Sequence, residues 1–202
     1  MVPRFWKLLL LILLAAPLWA APEVKRFDIE LAGLKIGELT ATRVDRDTLT
    51  HYHIETKVSF WLFVKVNVHH IQTAVYHGEK LLHSTVKTKS NKGNFSASVI
   101  WNRKQYDVKV DMYKYKNDTT ILDPIHFNVM RFFFDEPKEI KKVLADSNGL
   151  LAPVSYLKNS YYEVNVRGER NKYFYKDGKL HRAVMDNPIK NYEIVLREDE
   201  QG

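Results

Sequence analysis

The chain has 202 residues and no cysteine, with 31 Lys plus Arg against 24 Asp plus Glu, 45% hydrophobic residues and 12% aromatic residues. That length suits one domain that buries about 70% of its unfolded surface without covalent staples. The missing cysteine excludes disulfide scaffolds, thiolate metal sites, iron–sulfur clusters and thiol nucleophiles, and only 8 Gly and 7 Pro exclude a collagen-like chain.

Residues 1–20 read as an export signal. Arg4 and Lys7 make a basic start, Leu8 to Leu14 an apolar run, and Ala15-Ala16-Pro17-Leu18-Trp19-Ala20 a small-residue exit with cleavage expected near Ala20. The run is too short for a transmembrane anchor, which needs ~20 apolar residues. No cysteine follows it to carry a lipid. The expectation is a periplasmic or otherwise exported protein whose residues 21–202 form a single β-rich domain. Losing Arg4 and Lys7 lowers the formal charge of +7 by two, to +5. A modest excess of this sign attracts anionic lipid head groups or surface polysaccharide. It is spread along the chain, and Tyr113-Lys114-Tyr115-Lys116 reads as a solvated strand end, so no nucleic-acid partner is expected.

Period-two alternation dominates from residue 23 onward. Phe27-Asp28-Ile29-Glu30-Leu31 places apolar side chains on one face and acids on the other, and Tyr52 to Phe60 repeats the pattern over nine residues. Residues 58–68 differ: Phe60, Trp61, Leu62, Phe63, Val64, Val66 and Val68 put apolar groups on both faces of one stretch, as in a central strand covered above and below, the Phe-rich Ile125 to Phe134 helix being the cover, or in one that faces something other than water on its second side. Tyr106, Val108, Val110 and Met112 alternate with Asp107, Lys109 and Asp111. Asp123-Pro124 then reads as an N-cap with proline at the first helical position. Ile125, Val129, Phe132 and Phe133 recur at helical spacing until Asp135-Glu136-Pro137, predicting a helix of two to three turns that plugs the curved face of the sheet.

Turn chemistry at Gly33 and Gly37, His77-Gly78-Glu79, Asn91 to Asn94, Ser147-Asn148-Gly149, Arg167-Gly168 and Asp177-Gly178 marks successive hairpins. Asp177-Gly178 is the sharpest, because a two-residue primed turn wants positive φ at both positions. The pattern predicts an all-β protein: a single curved antiparallel sheet, or a half-open barrel, of roughly eleven strands with one short helix packed on it.

The chemical inventory is thin. His51 and His53 share a strand face about 7 Å apart, but with Glu55 and Lys57 beside them they read as surface residues, and His69 and His70 point to opposite faces. Gly-x-Ser-x-Gly does not occur, Ser59, Ser84, Ser96 and Ser98 sit inside alternating strands, and no glycine loop would cradle phosphate. Asp135-Glu136 reads as a solvated turn for want of a facing carboxylate. The sequons Asn94-Phe95-Ser96 and Asn117-Asp118-Thr119 fall in turn-like regions. No catalytic residue, metal or cofactor is expected.

Four phrases carry a resemblance: Phe27-Asp28-Ile29 with Leu34-Lys35-Ile36-Gly37-Glu38-Leu39, Tyr52-x-Ile54-x-Thr56-Lys57-Val58, Arg131 to Pro137, and Asn171 to Leu180. In their order and spacing they resemble a domain-of-unknown-function family of exported, β-rich Gram-negative bacterial proteins, over most of residues 24–197. The resemblance implies an envelope location and a β fold and transfers no functional residue. A more distant similarity is to exported half-barrels that hold lipid or lipoprotein chains under a curved sheet, an analogy of fold only.

The expected function is therefore non-enzymatic: binding of a lipid or other apolar chain in the concave face of the sheet, with Phe60, Phe63, Phe132 and Phe133 as lining residues. Two alternatives stand beside it. One is an interaction module with a filled core that docks another envelope protein; the other is an enzyme on an unrecognised pattern.

Overall fold

The computed structural model describes residues 21–62, 64–158, 160–187 and 190–197. The export signal read in residues 1–20, and Phe63, lie outside them. Among the described residues fourteen strands form where the sequence predicts roughly eleven. They are β1 (Glu23–Leu31), β2 (Leu34–Arg46), β3 (Leu49–Leu62), β4 (Val64–His77), β5 (Lys80–Ser90), β6 (Gly93–Trp101) and β7 (Tyr106–Met112). The rest are β8 (Tyr115–Ile121), β9 (Lys142–Ala145), β10 (Leu150–Leu157), β11 (Tyr161–Val166), β12 (Glu169–Lys176), β13 (Lys179–Met185) and β14 (Tyr192–Leu196). The count differs because several connections are only one or two residues long and leave the alternation almost unbroken, so adjacent strands read as one.

The largest such correction concerns residues 58–68. They are the closed end of the β3–β4 hairpin, with Val58 opposite Val68, Phe60 opposite Val66 and Trp61 opposite Lys65. The apolar residues on both faces belong to two strands, and the hairpin end projects beyond its neighbours: β2 pairs with β3 only as far as Val58, and β5 with β4 only as far as Val68.

All strands pair antiparallel in one sheet of order β8-β7-β6-β5-β4-β3-β2-β1-β14-β13-β12-β11-β10-β9. Two meanders thus meet where β1 pairs with β14, Phe27 opposite Leu196 and Ile29 opposite Ile194. Three register shifts, at Ile29/Glu30, Val75/Tyr76 and Phe174/Tyr175, insert an extra residue into one strand and bend the sheet. The outer strands β8 and β9 are not paired with each other, so the sheet curls without closing into a barrel. Side chains tie the gap instead. The Tyr115 hydroxyl donates to the Asn148 carbonyl at 3.2 Å, and the Asn117 amide donates to the same oxygen at 3.4 Å.

The hairpin turns follow their chemistry. Asp177 and Gly178 have φ of 51° and 76°, the double positive value a two-residue primed turn requires. Gly37 corrects the turn reading: it lies inside β2, opposite Val58 and next to the bulge, where a Cβ would stand 2.3 Å from the Lys57 carbonyl oxygen. Its role is close strand approach rather than chain reversal.

The predicted helix is also corrected. Only Val129–Phe133 is helical, as a 3-10 turn whose N-cap is Asn128, not Asp123. Upstream, Ile125 and Phe127 are buried around an exposed His126, a period-two pattern. The backbone there takes tertiary bonds in place of helical ones: Leu81 N–H donates to the Ile125 carbonyl and Leu144 N–H to the Phe127 carbonyl, both at 2.9 Å. The turn nevertheless plugs the concave side. Phe133 meets Phe27 edge-on at 5.2 Å, Phe134 lies 5.5 Å from Tyr52, and Phe132 meets Tyr173 edge-on at 4.5 Å. One short segment therefore fastens β1, β3 and β12 across the curl.

Candidate functional site: an apolar cavity under the curved sheet

Register decides which side chains share the concave face, because cross-strand partners point the same way. On β3 these are Ile54, Thr56, Val58 and Phe60, matched on β4 by Gln72, His70, Val68 and Val66. Leu39 stands opposite Thr56 on one side, and Ile29 opposite Ile194 continues the wall across β1 and β14. These residues enclose a cavity of about 1220 Å³, closed below by Val129 and Phe133 of the 3-10 turn and by the β9–β10 turn at Asp146 to Asn148. The mouth opens between Leu34 and Lys35 at the start of β2, Trp61 near the end of β3, Lys92 in the β5–β6 turn and Lys190 in the β13–β14 connection.

The sequence-predicted lining residues separate. Phe60 and Phe133 border the cavity. Phe132 is fully buried behind Tyr173, between that ring and Phe127 at 5.6 Å, and is not among the residues that line the cavity. Phe63 lies outside the described residues. That Leu34, Trp61, Lys92 and Lys190 share one rim is not legible in the sequence, since segments far apart along the chain carry no signal that they converge.

Polar groups on the wall are few and mostly engaged. His70 is held by Thr88 Oγ1 at 2.7 Å and by the Gln72 amide at 2.8 Å, and burial, with His69 adding repulsion, pushes its pKa down to about 4. It is neutral at pH 7. His69, on the other face, pairs with Glu55 at 2.8 Å. Among the described residues no group of three or more His, Asp or Glu is placed to hold a metal ion. Asp135 and Glu136 are held rather than simply solvated: Asp135 by Arg131 at 3.0 Å and Arg43 at 3.4 Å, Glu136 by the Tyr162 hydroxyl at 3.0 Å. A smaller hollow of about 190 Å³ is lined by Arg43 and Arg131 and by Glu79 and Asp135, so its formal charges balance.

Sequence reasoning missed a buried trio at the cavity floor. Asp146 accepts hydrogen bonds from the Ser84 hydroxyl and, at 2.9 Å, from the Asn128 amide, while its Oδ2 is buried with no hydrogen-bond partner among the described residues. Ser84 is therefore more than an ordinary sheet residue, but no local pattern announces a partner 62 residues away. Burial pushes the Asp146 carboxyl up to about 6, against the lowering effect of Ser84 and Asn128. A folded-state pKa above the unfolded value means the folded protein holds the extra proton between about pH 4 and 6, so this group's contribution to stability falls as pH rises through that window. His70 works in the opposite sense between about 4 and 6.5, so the comparison must be between variants. Asp146→Asn is expected to gain on the wild type by about 2 kcal/mol as pH goes from 4 to 7, read as the difference between the two proteins' urea unfolding free energies. A difference that is flat with pH rejects this role.

Comparison with known proteins agrees with the architecture. The model of a domain of unknown function, DUF6134, matches residues 27–197. Among solved structures, the chain is similar to a β-barrel-like protein of another domain of unknown function, DUF1849, from Brucella abortus. The TM-score is 0.52 at 12% identity, over 87% of this chain and 95% of that one, a likeness of fold alone. No curated protein sequence matches the chain. With most of its length matched, through both meanders and the plug between them, the chain belongs to the DUF6134 family of unknown function.

Proposed function

We propose that this protein is a non-enzymatic, exported carrier that holds the apolar chain of a lipid or lipoprotein in its cavity and leaves the head group at the mouth. The observation that carries the reading is the cavity of about 1220 Å³ with a wall of Ile29, Leu39, Ile54, Val58, Phe60, Val66, Val68 and Ile194. That volume is above the roughly 300–1,000 Å³ usual for compact small-molecule ligands, and its apolar wall gains most from contact with an extended hydrocarbon. Lys92 and Lys190 at the rim suit an anionic head group, whereas Lys35 is engaged by Asp28 and Glu38, each at 2.9 Å. A location outside the cytoplasm is part of the proposal and rests on the export signal read in residues 1–20.

Two further features favour this reading over its alternatives. An interaction module with a filled core would not need such a volume between Phe60 and Phe133. For catalysis, the cavity offers a neutral His70 tied to Thr88 and Gln72, and an Asp146 whose Oδ1 is committed to Ser84 and Asn128. Native mass spectrometry of protein purified without detergent should show bound masses that organic extraction identifies as lipid. Val58→Glu, which puts a carboxylate into the wall, should cut the bound fraction at least about tenfold, given the cost of burying a charge against hydrocarbon. Protein that is bare in every preparation, or a variant as loaded as the wild type, would reject the proposal.

A further inference from the structure

The cavity mouth combines exposed apolar side chains with several lysines. Among the described residues six large hydrophobic side chains are exposed: Leu34 at 72%, Trp61 at 75% and Tyr113 at 52% stand at or beside the turns of this end, and Ile100, Leu122 and Tyr156 lie at the other. Antiparallel pairing places the β1–β2, β3–β4, β5–β6, β7–β8, β11–β12 and β13–β14 connections together at the mouth, with the β9–β10 turn on the same side folded in under them. At or beside these connections stand Lys65, Lys92, Lys114, Arg167 and Lys190. The acids near this end are Glu30, Glu169, Asp186, which accepts from the Arg170 amide at 3.0 Å, Asp111, which pairs with Lys116 at 3.4 Å, and the Asp28 and Glu38 that hold Lys35. The lysines and Arg167 named above are not among the residues these acids pair with. Lys92 and Lys114 flank the Tyr113 ring at 5.6 and 5.2 Å. The opposite end mixes both signs in its turns, with Asp47, Glu79, Arg103, Lys104 and Asp177.

Apolar prongs inside a ring of bases match the outer layer of an anionic bilayer. Aromatic side chains favour the interface, and lysines add electrostatic attraction that fades with salt. We propose that this end of the molecule docks on an anionic phospholipid surface, with Trp61 and Leu34 entering the head-group layer so that the cavity mouth faces the acyl chains. The projecting β3–β4 hairpin end is the leading element, since it extends past the pairing of β2 and β5. Docking rests on the cavity reading for its consequence, the transfer of a chain between bilayer and protein.

A chain without cysteine allows a site-specific test. Trp61→Cys carries an environment-sensitive fluorophore at the mouth, and Lys104→Cys carries it in a turn at the opposite end. Vesicles of phosphatidylcholine with one quarter phosphatidylglycerol should blue-shift the label at 61 and leave that at 104 unchanged, whereas phosphatidylcholine alone should shift neither. Reversing Lys65, Lys92 and Lys190 to Glu should weaken the response at least about 100-fold, since each lysine at an anionic surface is worth about a factor of five. A label at 61 that responds no more than the one at 104, or equally to neutral vesicles, overturns the proposal. The two readings fail separately. Protein that co-purifies with lipid but does not bury the label loses docking alone, whereas protein that buries the label but is always bare loses the cavity reading alone.

Discussion

Phe132→Ala is expected to lower unfolding stability by about 3–5 kcal/mol, the cost of removing a large ring from a site that cannot collapse. Phe132 has 0% exposure and sits edge-on to Tyr173 at 4.5 Å, with Phe127 behind it at 5.6 Å. Its backbone is pinned as well, since the Tyr175 hydroxyl donates to the Phe132 carbonyl at 2.7 Å and would do so in the variant. The segment therefore cannot slide to fill the void. Phe133→Ala provides the contrast: that ring borders the cavity, so its loss enlarges a space already there and should cost less stability while reducing lipid retention. Urea unfolding of both variants decides the matter. A smaller loss for Phe132 than for Phe133 would mean that the plug is organised differently.

Gly149→Ala should cost about 2–5 kcal/mol. The residue has φ of 61°, where an L side chain adds about 1–2 kcal/mol of strain. A Cβ there would also stand 2.4 Å from Val108 Cγ1 and 2.9 Å from Val110 Cγ2. Both valines are buried on β7, so the collision forces the kind of overpacking that typically costs 1–3 kcal/mol. Gly149 follows Asp146 and Asn148 in the turn that floors the cavity and receives the bonds from Tyr115 and Asn117 that hold the sheet's two edges together. Gly33→Ala separates the two contributions: φ is 79° there, but nothing lies within 4 Å of the added carbon, so only the backbone strain remains. Thermal unfolding that shows equal losses at 33 and 149 would refute the close packing of this turn on β7.

Much of the fold is legible locally. Alternation in Phe27 to Leu31 and Tyr106 to Met112 places Phe27, Ile29, Tyr106, Val108 and Val110 in the core, and all five are buried. Asp177-Gly178 specifies its turn by the φ values those residue types tolerate. Local reading fails where a side chain or backbone group finds its partner far along the chain. Residues 125–128 carry apolar groups compatible with a helix, yet Leu81 and Leu144 supply the hydrogen bonds that keep them extended. Gly37 has the residue type of a turn, and only the approach of Lys57 and Val58 shows that it is a strand position.

For the site, the aromatic excess around Phe60 and Phe132 to Phe134 points to an apolar interior, but sequence cannot divide it into wall and core, because both are built from the same residues. Phe133 faces the cavity and Phe132 does not, a distinction set by which side of the 3-10 turn each ring occupies. The sequence by itself determined strand character and most turn positions, since these depend on side-chain type and on neighbours one to four residues away. The tertiary structure alone decided the volume under the sheet, the buried Ser84–Asp146–Asn128 trio and the gathering of Leu34, Trp61, Lys92 and Lys190 at one rim. Those features depend on how far the sheet curls, which is set jointly by three bulges, one plug and the crosslinks between its unpaired edges.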